Sequence, residues 1–234
     1  MRIVLRNFEP FAAEGDARAI AAGEIHLWRV DLTLPGERIA ALRACLTEPE
    51  RRRAIRLRAT GREAECIAAR GCLRRLLAAY LDTDAADLTF VPAPGGKPAL
   101  ASNPSLRFSF SDSGGRALVA VTRDREIGVD VERIRERELR AGLMERVMSP
   151  AERAAAERCA PPEALHLFYR LWARKEAVLK AAGVGLRMRP ARVDVLDTDS
   201  PVAVPSGDAG ETAWRVRDVD AGEQWAAAVA WEAE

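Results

Sequence analysis

Hydrophobic and polar positions alternate along some stretches of the chain and recur at helical spacing along others. β-rich or alternating runs predict strands at EIHLWRVDL, LTFV, KPAL, LRFSFS, ALVAVT and EIGVDVE, and in the tail at ARVDVL, AWRVRDV and WAAAVAWE. Helical periodicity predicts helices over 35–46, 49–58 and 62–81, from Ser149 onward, and over 162–182. Turn residues separate the segments: Pro94, Gly95 and Gly96 between two short strands, and SDSGG between LRFSFS and ALVAVT. The stretch 197–211, rich in Pro, Gly and Asp, reads as an exposed loop. Each half holds strands, helices and further strands, with a division near 122–125. The expected fold class is α/β of the α+β type.

Charged residues interrupt these apolar patterns at a few places. In EIGVDVE the side chains alternate, so Ile127, Val129 and Val131 face a core while Gly128, Asp130 and Glu132 face the other way. Carboxylates at i and i+2 have Cα atoms ~6.5–7 Å apart, close enough to share one cation, and Gly128 would leave room for a ligand. Mg²⁺ prefers such hard oxygen donors together with substrate phosphates, although a solvated strand face would look the same. On the helix over 162–182, Leu165, Phe168, Trp172, Glu176 and Leu179 share one side. Glu176 is the single charge on that side, and a buried carboxylate needs a partner. A third oxygen ligand to the same cation accounts for its place; a helical ion pair with Lys180 does not explain the apolar neighbours. Lys175 and Lys180 flank the stripe, where either could reach a phosphate, while Arg170 and Arg174 would point to solvent. On the helix over 62–81, Arg70 shares a face with Cys66, Leu73, Leu77 and Tyr80. It reads either as a phosphate-binding guanidinium or as a snorkelling side chain. A phosphorylated ligand with Mg²⁺ between the halves satisfies both sets of charges.

Composition narrows the field. A net charge of +1 argues against wholesale nucleic-acid or membrane affinity, although nine arginines crowd 51–75 without interleaved aromatics. Those arginines suit steering of an anionic ligand. Cys45, Cys66, Cys72 and Cys159 lie at no metal or redox spacing and read as free thiols of a reducing compartment. The opening MRIVLRNFEP has a charge within its short apolar run, unlike a signal peptide, and no run approaches membrane-spanning length, so a cytoplasmic protein is expected. His26 and His166 sit in no ligand motif and read as structural. No Walker loop, dinucleotide fingerprint or zincin motif is present.

IGVDVE followed by LWARKEAVLKAAGVGL resembles the 4′-phosphopantetheinyl transferase superfamily. The shared pattern is a hydrophobic-Gly-hydrophobic-Asp motif at 127–130, Trp-x-x-Lys-Glu-Ala-x-x-Lys at 172–180, and Gly183 with Gly185. GGKPAL and LRFSFSDSGG resemble two further motifs of the larger, surfactin-type branch, and Glu132 also matches that branch. The resemblance implies a monomer built as a pseudo-twofold pair of similar α/β lobes, 1–122 and 123–234, with coenzyme A in the cleft between them. It implies transfer of 4′-phosphopantetheine from coenzyme A to a serine of an apo acyl or peptidyl carrier protein. By position, Asp130, Glu132 and Glu176 would hold Mg²⁺ and Lys180 would bind the pyrophosphate. Arg70 would meet the 3′-phosphate, Lys97 would lie along the adenosine portion, and Ser111 would lie near the phosphates. Asp130, Glu176 and Lys180 would be catalytic, with Glu176 taking the serine proton directly or through a water. Glu152 sits where the family often has an acid, and it also completes a capping box with Ser149. The chain departs from the family at Ser111-Asp112-Ser113, where a histidine usually occupies the middle position; Asp112 would repel a phosphate there. A non-catalytic coenzyme A or carrier-binding module is the alternative that this departure motivates.

Overall fold

The structure, a computed structural model, describes residues 1–11, 19–93, 96–123, 125–136, 141–185, 188–205 and 210–233. Pro94 and Gly95 of the expected turn lie outside this set. The first half comprises β1 (Arg2–Phe8), β2 (Glu24–Asp31), α1 (Gly36–Ala44), α2 (Glu48–Arg56), α3 (Glu63–Leu81), the small hairpin β3 (Phe90–Pro92) and β4 (Pro98–Leu100), then β5 (Leu106–Ser113) and β6 (Arg116–Arg123). The second comprises β7 (Ile127–Arg133), α4 (Ala141–Val147), α5 (Pro150–Glu157), α6 (Pro161–Ala181), β8 (Val202–Pro205), β9 (Glu211–Asp218) and β10 (Trp225–Glu232).

Two four-stranded sheets result, ordered β1-β2-β6-β5 and β7-β10-β9-β8. Within them, among the described residues, only the β1–β2 pairing is parallel. Alternation along the strands makes both faces of each sheet apolar. Trp28, Val30, Val119 and Val121 pack under α3 with Leu73, Leu76 and Leu77. Ala228, Ala230 and Val216 pack under α6 with Ala177 and Val178. Between the sheets lies a third core in which Ile25, Leu27 and Leu118 meet Ile127, Val129, Val131 and Val229. The layers therefore run helix, sheet, sheet, helix.

The two inner edges, β5 and β7, run side by side in the same sense. Serine hydroxyls bridge them: Ser109 Oγ accepts from the Val129 N–H (3.0 Å) and Ser113 Oγ from the Arg133 N–H (3.1 Å). The β5–β6 hairpin that presents these serines turns at Gly114 and Gly115, both with positive φ (56° and 88°), as a two-residue hairpin turn requires.

The strand over ARVDVL does not form. Its Val193 and Val195 are buried, but its backbone is satisfied by side chains of the second half. Lys175 donates to the Val193 carbonyl, Arg174 donates to the Val195 carbonyl (3.0 Å), and Glu152 accepts from the Val195 N–H (2.9 Å). The stretch 197–211 contains β8, whose Val202 and Val204 are buried against β9, so the loop reading fails there. β1 escapes the sequence pattern because Arg2 and Arg6 break its apolar run. Arg174 is not solvated: it is 7% exposed and forks onto both oxygens of Asp218 at 2.6 Å. Gly128 gives room to α6 and not to a ligand, since a Cβ there would collide with the Ala177 carbonyl oxygen and the Ala181 nitrogen. Gly128→Ala is therefore expected to cost about 3 kcal/mol, near the upper range for overpacked sites. A urea midpoint equal to that of the wild type would contradict this close approach of helix to strand.

Candidate active site

β7 and α6 bring three carboxylates together. Gly128 lets α6 lie directly on β7, which sets Glu176 beside Asp130, the next residue on the same strand face. Asp130 is 3% exposed; its Oδ1 accepts from Lys180 Nζ (2.6 Å) and Ser111 Oγ (2.7 Å), while its Oδ2 has no partner among the described residues. Glu132 accepts from Trp172 Nε1 at Oε1 (3.0 Å) and from Ser113 Oγ at Oε2 (3.1 Å). Glu176 Oε1 is buried, with no partner among the described residues. Burial, then the charges of Asp130 and Glu132, push the Glu176 carboxyl up to about 7 against the pull of Lys180. Burial and Asp130 also raise Glu132, opposed by its two hydrogen bonds. Two buried carboxylate oxygens without partners are costly. Among the described residues, no three His, Cys, Asp or Glu side chains form a metal-binding group by themselves.

Lys180 connects the cluster to a cleft of about 240 Å³ lined by Arg70, Lys97, Pro98, Phe108, Phe110, Lys180 and Gly183. Its ammonium also donates to Ser111 Oγ (3.0 Å) and to the Val129 carbonyl (3.2 Å), and its side chain keeps 30% exposure. Arg70 lies 5.6 Å over the Phe110 ring, facing the cleft from α3. Lys97 lines the same cleft, but its ammonium is bound to Glu126 (3.1 Å) and to the Ile127 carbonyl (2.5 Å), clasping the first half to the start of β7. Asp112 sits at the far end of the cluster, on the wall shared with Arg62, Glu132 and Trp172. Burial raises its carboxyl and Arg70 lowers it.

Lys175 does not reach the cleft. It is fully buried and paired with the equally buried Glu152 at 2.8 Å, because successive helix positions face about 100° apart. Glu152 thereby has a structural role, since it neutralises Lys175 as well as capping Ser149 (2.8 Å). His26 is buried against Tyr80 OH (2.6 Å), as a structural histidine would be, and the four cysteines are free thiols. Two contacts of the acid cluster escape the sequence patterns: the Ser113 hydroxyl and the Trp172 indole, both on Glu132. The alternation of Ser109, Ser111 and Ser113 on one strand face is the signal that could have found the first. Among the described residues no helix is long and apolar enough to cross a membrane.

Comparison with known proteins defines the class: the chain belongs to the 4′-phosphopantetheinyl transferase superfamily. That family's model matches residues 126–230, the stretch carrying Asp130, Glu132, Glu176 and Lys180. The 4′-phosphopantetheinyl transferase HetI of a Nostoc species is 30% identical over 214 residues, covering 90% of this chain and 89% of the relative. A 4′-phosphopantetheinyl transferase of Bacillus subtilis is 30% identical over 158 residues, covering 67% and 69%. The 4′-phosphopantetheinyl transferase AcpT of Salmonella typhimurium is 38% identical over 88 residues, covering 38% and 46%. The protein is accordingly a transferase.

Proposed function

We propose that the protein transfers 4′-phosphopantetheine from coenzyme A to a serine hydroxyl of an apo acyl or peptidyl carrier protein, with Mg²⁺, releasing adenosine 3′,5′-bisphosphate. The observation that carries this reading is the pair of buried, unpartnered oxygens, Asp130 Oδ2 and Glu176 Oε1, beside the Lys180 ammonium. These donors are hard oxygens, and with Glu132 they suit Mg²⁺, which ordinarily completes its coordination with water and substrate phosphates. Asp130, Glu132 and Glu176 would hold the ion, whose charge, when it is bound, offsets that of the reacting pyrophosphate.

The remaining steps belong to the chain's own residues. Arg70 and Lys180 bind the anionic groups of coenzyme A along the cleft, with Lys97 in its wall, while Ser111, which does not line the cleft, acts through its hydrogen bond with Lys180. Glu176 takes the proton of the carrier serine, directly or through a water, as the serine oxygen attacks phosphorus and the bond from phosphorus to the bisphosphate leaving group breaks. Lys180 stabilises the charge that builds up during transfer. We read the two halves, 1–122 and 123–234, as pseudo-twofold lobes of the surfactin-type branch, acting as a monomer in the cytoplasm. The test is incubation with coenzyme A, Mg²⁺ and a panel of apo carriers of fatty-acid, polyketide and peptide type. At least one carrier should gain the mass of one phosphopantetheine, and chelation of the metal should prevent it. No adduct on any carrier would favour the non-catalytic binding module instead.

Asp112 tests the cleft from another side. Its carboxylate opposes any phosphate drawn to Arg70. Asp112→His is expected to tighten coenzyme A binding several-fold, on the order of 1 kcal/mol for one removed like charge at a partly screened site. An unchanged or weaker dissociation constant in calorimetry would mean that the carboxylate is accommodated.

A further inference from the structure

The three β5 serines differ in what they touch. Among the described residues, Ser109 Oγ meets only backbone, the Val129 N–H. Ser111 Oγ receives Lys180 and donates to Asp130. Ser113 Oγ accepts from the Arg133 N–H (3.1 Å) and directs its single proton to Glu132 Oε2 (3.1 Å). A hydroxyl has one donor, so the Arg133 contact fixes which way that donor is used. The other oxygen of Glu132 is taken by the Trp172 indole N–H, which can only donate. Glu132 is thus held at both oxygens by donors on different elements, β5 and α6, while its own backbone belongs to β7.

We infer that Ser113 is a positioning residue: it aims Glu132 toward Asp130 and Glu176. The first sheet thereby sets the geometry of an acid cluster built on the second. The inference rests on the proposed cation role of these acids and adds to it a residue outside the cluster. Partners that orient metal-holding carboxylates typically contribute 10–100-fold to metal affinity.

The test uses the full chain without coenzyme A or carrier and Mn²⁺ as the probe, with the dissociation constant read by calorimetry and by electron paramagnetic resonance. Ser113→Ala is expected to weaken Mn²⁺ about tenfold while the melting temperature moves little. Ser113→Thr, which keeps the hydroxyl, should bind within about threefold of wild type on the same scale. Ser109→Ala, which removes only a backbone contact, should lower the melting temperature and leave the Mn²⁺ constant in place. A Ser113→Ala constant equal to that of wild type, a threonine variant as weak as the alanine variant, or equal weakening by Ser109→Ala would each overturn the positioning role. Failure of the wild type to bind Mn²⁺ would remove the cation reading as well, so the two failures are distinguishable.

Discussion

Glu176→Gln is expected to lower phosphopantetheine transfer by roughly 10²–10⁴-fold, the usual loss when a positioned acid–base group is removed. It should also make the metal-free protein more stable at pH 8. The Glu176 carboxyl is raised from 4.5 to about 7 in the fold, so its contribution to stability is fully present below pH 4.5 and is lost as pH rises through 7. That loss is worth on the order of 3 kcal/mol. Glutamine keeps the shape without the charge, so the variant's stability should fall less over this range than that of the wild type, with Glu132 and Asp112 still contributing to both. Mg²⁺ should then raise the melting temperature of the wild type at pH 8 and do little for the variant. Equal Mg²⁺ stabilisation of both proteins, or transfer at the wild-type rate by Glu176→Gln, would remove Glu176 from the site.

Lys175→Met is the complementary experiment, because it strikes stability at the residue next to Glu176. Lys175 and Glu152 are both fully buried, and the ammonium also serves the Pro190 (3.0 Å) and Val193 carbonyls. Removing the lysine leaves a buried carboxylate uncompensated, a loss of about 3–5 kcal/mol. For a chain of this size that corresponds to a fall of roughly 10 °C in melting temperature. Glu152→Gln combined with Lys175→Met should recover much of it, since no lone charge then remains. A single variant melting within about 2 °C of wild type, less than 1 kcal/mol would produce, would show that the pair contributes little to the fold.

What can be read from the sequence follows from which interactions are local. Asp130 and Glu132 are legible because strand alternation has period two, and Glu176 because helical spacing puts it alone on an apolar side. The same spacing misjudges Lys175 and Arg174. Both look free because their partners, Glu152 and Asp218, are remote in the chain, and nothing on a helical face reveals a distant carboxylate. ARVDVL carries a strand pattern, yet its carbonyls are taken by the side chains of α6 instead of a neighbouring strand. Gly128 stands out in its strand, but a glycine records only that something comes close, and here it is backbone. Arg70 and Lys180 both face the cleft, as their helical positions imply, although Lys97 spends its charge on Glu126.

The hydroxyl seam between β5 and β7 also bears on how copies of this protein behave in a crowded solution. Each sheet turns one rim inward on the other, and among the described residues β1 and β8 are the outer rims, with no further strand paired to them. β1 carries Arg2 and Arg6, and β8 stops at Pro205, devices that discourage strand addition and fibrous growth.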